Sequence, residues 1–167
     1  MRKYGFSLAE VLITLAILGV VAAMTIPNLN TDSRREANAK KFGVVVSAVE
    51  NALTAGILVD GGSHQEALEH LMDWCNAEYG LAKYLVHSSC DKDKKIITMK
   101  NGAQITDIGS GNIQIDVNGA SGHSTKYDDM YQVTINGDGT LSPFPNDVKT
   151  LTLMQNDFKY SSIKNLK

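Results

Sequence analysis

At 167 residues, with 16 Lys and Arg against 18 Asp and Glu and a formal net charge of -2, the chain has room for one ordinary domain and one apolar anchor. This near-neutral balance leaves no electrostatic footprint for nucleic acid, and no long run of like charge suggests a polyelectrolyte partner. Aromatic residues are sparse at 7%, which argues against a large aromatic-lined ligand pocket.

Residues 1–5, MRKYG, form a basic leader too short for an ordinary secretory signal, whose apolar region precedes its cleavage site. Here a plausible cut, after Gly5, precedes the apolar region, so the apolar helix would stay on the protein. From Phe6 to Ile26 the chain runs for about twenty residues with Glu10 as its single formal charge, enough to span about 30 Å as a helix and so cross a bilayer. An ionisable group inside a membrane segment is costly and marks a functional site by default, so Glu10 asks for a partner. Gly19 and Ala23 stand at the four-residue spacing that lets helix backbones approach closely, although small residues are common in any membrane helix.

The run Gly5, Phe6, Ser7, Leu8, Ala9, Glu10, followed by the apolar stretch and Pro27, resembles the prepilin N-terminal motif of type IV pilins and type II secretion pseudopilins. That resemblance is tight over residues 1 to about 30. It implies that a membrane prepilin peptidase cuts between Gly5 and Phe6 and methylates the new Phe6 amine. It also implies a membrane-stored subunit assembled with copies of itself or related pilins on an inner-membrane platform. The new amine is costly in hydrocarbon, and Glu10, one helical turn away, is its natural counter-charge. The pair could form between neighbouring subunits, giving an assembly code, or within one chain, and the two are not exclusive.

After Pro27 the chain turns polar over residues 28–41, and then Phe42, Val45, Val46, Val49, Leu53 and Ile57 recur on one face of an amphipathic helix ended by Gly61-Gly62. One nearly continuous helix from Phe6 to about Val59 is expected, with two helices joined near residues 27–33 as the alternative. Ser63 followed by Glu66 reads as a capping box opening a short helix through about Asn76, with Trp74 in the core. His64 and His70 on that helix are six apart, the wrong spacing for two metal ligands on one face.

From Lys95 the period changes to two. Ile96–Met99 and Gln104–Ile108 flank Asn101-Gly102 in a hairpin, and two further strands follow at Ile113, Ile115, Val117 and at Tyr131, Val133, Ile135. The expected fold class is therefore α+β and pilin-like, a long N-terminal helix packed on an antiparallel sheet. Its expected segments are leader 1–5, membrane half 6–29, head half of the helix 30–60, short helix and loop 61–92, sheet 93–145 and tail 146–167. The tail reads as a weak strand or helix near Leu151–Met154 and then a loose end.

Arg2 and Lys3 place the leader in the cytoplasm by the positive-inside tendency, so Cys75 and Cys90 face an oxidising space and a disulfide is expected, against two unpaired buried thiols. Asp116, Asn118, Asp128 and Asp129 put oxygen ligands in late turns, where calcium is one reading and simple turn chemistry the other. No other cofactor is expected, and none of the usual hydrolase, phosphate-loop or metal-ligand spacings occurs, so the chain reads as a peptidase substrate rather than an enzyme. The functional expectation is a filament subunit of a type IV pilus, with a secretion pseudopilin as runner-up. A monomeric signal-anchored binding module is the rival from another class; it needs no cut after Gly5.

Overall fold

In a computed structural model the chain is described over residues 7–60, 63–119 and 125–166, as backbone only at 25–30, 60 and 64. It forms two units, Met1–Arg34 and Arg35–Lys167. Helix α1, Leu8–Asp60, belongs to both, and its helical backbone continues through Pro27, as the single-helix expectation requires. Gly61-Gly62, expected to end it, lie outside the described residues.

In the first unit the residues Ser7 to Met24 are exposed on all sides, with only Ala22 half-buried. Leu8, Leu12, Leu18 and Met24 present large apolar side chains to the surroundings. A helix that is apolar all round belongs in hydrocarbon or against other helices.

The second unit owes its core to the stripe read from the sequence. Phe42, Val45, Val46, Val49, Leu53 and Ile57 are all buried, because helical spacing puts them on one face and the sheet covers that face. Phe42 stacks on Tyr131 of the sheet with ring centroids 4.2 Å apart, and Phe158 meets Phe42 edge-on at 5.4 Å. Helix α2, His64–Leu71, starts with the expected capping box: the Ser63 hydroxyl accepts the Glu66 N–H and the Glu66 carboxylate accepts the Ser63 N–H. It stops earlier than expected, because the Asn76 amide holds the Asp73 carboxylate at 3.0 Å and the chain turns there. Gly80 closes that turn, and a Cβ on it would lie 2.3 Å from the Asp73 carbonyl oxygen, so no larger residue fits. A single helical turn, α3, Leu81–Tyr84, follows.

Six strands then form an antiparallel meander in sequence order: β1 His87–Asp91, β2 Ile96–Met99, β3 Gln104–Gly109, β4 Asn112–Asp116, β5 Met130–Ile135 and β6 Leu141–Pro143. Ile97, Ile105, Ile113, Ile115, Tyr131 and Val133 alternate inward and are buried. Four of these strands match the sequence expectation. The outer two do not: β1, HSSCD, has no apolar alternation, and β6 is three residues long and ends in proline. Strand β6 is nonetheless a closed edge, since the Leu141 N–H donates to Glu50 Oε1 at 3.0 Å and Pro143 has no N–H to offer.

The tail is not a loose end. Helix α4, Val148–Gln155, is capped by Asp147, whose carboxylate accepts the Thr150 N–H, and a 3₁₀ turn follows at Tyr160–Ser162. Leu153 and Ile163 are buried and Phe158 joins the aromatic stack. Sequence periodicity gives only a weak strand or helix near Leu151–Met154, because the segment buries isolated residues rather than a stripe.

Candidate functional site

The candidate site is the start of α1. Gly5 and Phe6, the expected cleavage pair, lie outside the described residues. Ser7 and Glu10 form a second capping box. The Ser7 N–H donates to Glu10 Oε2 at 2.8 Å, and the Glu10 N–H donates to Ser7 Oγ at 3.2 Å. The Ser7 carbonyl accepts the Val11 N–H at 3.3 Å, which is the first bond of the helix. A carboxylate here also complements the positive end of the helix dipole.

Glu10 therefore has a partner before any amine is made. That partner was legible, since Ser7 and Glu10 carry the same S-x-x-E spacing that identified Ser63 and Glu66. One turn on, the Thr14 hydroxyl returns to the Glu10 and Val11 carbonyls at 3.0 and 2.9 Å, so a polar side chain in the apolar segment is satisfied on its own helix. The added Cβ of an alanine at Gly19 would meet nothing within 4 Å, so the surface around it is open to another backbone.

Two stretches of α1 are strongly apolar, and burial separates them. Thr31–Val59 is long and apolar enough to cross a membrane, but half of its most apolar window is buried inside the head, which accounts for its composition. Leu8–Met24 is shorter, and its large apolar side chains are exposed.

At the other unit's end of α1, Arg35 grips Asp128 with two nitrogens, Nε to Oδ1 at 2.8 Å and Nη2 to Oδ2 at 3.0 Å, and Asn38 donates to the Asp128 carbonyl at 2.9 Å. Donating to the Asp128 carboxylate raises the Arg35 pKa above its ordinary value. The other expected oxygen donors are also engaged. Asp129 is buried and accepts from the Thr125 N–H and the Asn118 amide, while Asp116 accepts the Asn118 and Gly119 N–H groups. Arg35 and Asp128 are 93 residues apart, a pairing no local pattern reveals. Among the described residues no three His, Cys, Asp or Glu side chains converge as a metal site.

Cys75 and Cys90 are bonded, with Cα atoms 5.7 Å apart, and tie the turn after α2 to edge strand β1. His70 is exposed against Tyr79, and the His87 ring contacts the Leu85 carbonyl, so these two histidines sit in different surroundings.

Compared with known families, residues 1–26 match the prokaryotic N-terminal methylation motif. This is the prepilin-type cleavage and methylation motif, typical of type IV pilins and pseudopilins. No curated protein and no solved structure matches the chain.

Proposed function

We propose that this chain, with a prepilin-type motif at residues 1–26 and a pilin-like head, is a structural subunit of a type IV pilus, processed by prepilin peptidase and assembled through its N-terminal helix. The observation that carries the reading is that the Leu8–Met24 helix, within the motif's own span, is apolar and exposed. Such a surface must be covered by lipid before assembly and by neighbouring subunits after it. In this reading the subunit waits in the cytoplasmic membrane with its head outside the cytoplasm.

Glu10 is the assembly residue in this scheme. A carboxylate offers about four acceptor positions, so the Ser7 N–H leaves room for an ammonium. Cleavage between Gly5 and Phe6 would create that ammonium, and pairing with the Phe6 amine of a neighbour would neutralise two charges in an apolar interior. Glu10→Gln keeps an oxygen for the Ser7 cap and loses the charge. Both Glu10→Gln and Glu10→Ala are expected to lower the filament fraction recovered by sedimentation by on the order of tenfold or more, with membrane insertion unchanged. Wild-type assembly of Glu10→Gln would remove charge pairing from the account.

A pilus and a secretion pseudopilus both use such a subunit. Deleting the gene while scoring surface filaments and exported proteins in parallel separates them: loss of filaments assigns the pilus, loss of export the secretion machine.

A further inference from the structure

We infer that Ser7 is a positioning residue for leader removal: its capping box with Glu10 fixes where α1 begins and so opposes prolonging α1 upstream toward the expected cut. This rests on the reading that the leader is cut there.

A helix prolonged by one turn toward the leader needs the Glu10 N–H for the Phe6 carbonyl and the Ser7 N–H for the Lys3 carbonyl. Both donors are already taken, the first by Ser7 Oγ and the second by Glu10 Oε2. Prolonging α1 across the scissile bond therefore requires breaking both bonds of the box. The start of the helix is set by side chains.

The pressure to prolong it is real. Leu8, Ala9 and Glu10 favour helix, and near hydrocarbon a free N–H at a helix start is costly, so an uncapped helix gains by recruiting upstream residues. Proteolysis, in contrast, favours backbone that is exposed and free of helical bonds, or that opens readily. Ser7→Ala removes the acceptor for the Glu10 N–H and installs the best helix former at the boundary. The box thus sets the upstream limit of the segment that must be helical.

The test uses purified full-length precursor in detergent micelles with a purified prepilin peptidase, following leader release by mass spectrometry. Ser7→Ala is expected to lower the initial rate about fivefold, while Ser7→Thr, Ser7→Asn and Ser7→Asp, which also cap, stay close to wild type. Carbon chemical shifts at Phe6 should be non-helical in the wild-type precursor and helical in Ser7→Ala. Wild-type cleavage of Ser7→Ala would overturn this inference alone. So would failure of Ser7→Asn beside normal cleavage of Ser7→Thr, because the peptidase would then be reading the hydroxyl itself. A wild-type precursor left intact would overturn the processing reading, and this inference with it.

Discussion

Tyr131 joins the two faces of the head's core: its ring stacks on Phe42 of α1, and its hydroxyl lies 3.5 Å from the Tyr127 carbonyl. Burial pushes its phenol well above the ordinary tyrosine value of 10.0, and the nearby Asp128 and Asp129 charges push the same way. The folded state therefore holds this proton after the unfolded chain has released it. Tyr131 costs no stability below about pH 10, and the head loses stability as the pH rises from there toward the raised folded value. In a thermal melt series from neutral pH to pH 11.5, Tyr131→Phe should lose less melting temperature above pH 10 than wild type. Parallel curves for the two proteins would show that the phenol is not what limits alkaline stability.

At the scale of elements, the parts legible in the sequence are those in which many residues share one period. The Phe42–Ile57 stripe, the capping box of α2, the β2–β3 hairpin and the alternation of β4 and β5 all follow from spacing. Strand β1 was not legible because it is a polar edge, held by pairing to β2 and by the Cys75–Cys90 bond rather than by an apolar face of its own. Helix α4 was legible only as a weak strand or helix near Leu151–Met154, because its burial rests on two residues, Thr150 and Leu153, rather than on a stripe. The disulfide closes a loop with a sequence separation of 15, which corresponds to about 3 kcal/mol in the chain-entropy model. Replacing Cys75 and Cys90 by serine should lower the melting temperature of the head by about 10 °C, and thiol labelling of unreduced wild type should find no free cysteine. Two reactive thiols, or an unchanged melt, would contradict a bonded pair.

Over the whole molecule, the two units use apolar residues in opposite ways. From Arg35 onward most of those on α1 are turned inward on one face, against the sheet, whereas from Leu8 to Met24 they face outward on every side. The outward set was plain from composition, and so was Glu10 as the odd residue within it. What the sequence reading missed was the second half of the Glu10 chemistry, its bond to Ser7, because the S-x-x-E spacing there lies inside an apolar run where the charge dominates. The Arg35 grip on Asp128 was beyond local reasoning, since only the folded head brings these residues together. The central claim, that the chain is a processed subunit which keeps its apolar helix, is tested most directly by the intact mass and N-terminal sequence of the protein extracted from its native membrane. The account predicts a mature chain that starts at Phe6 and is one methyl group heavier than the unmodified sequence. A chain that retains Met1 to Gly5, or one cut after the apolar segment, would contradict it.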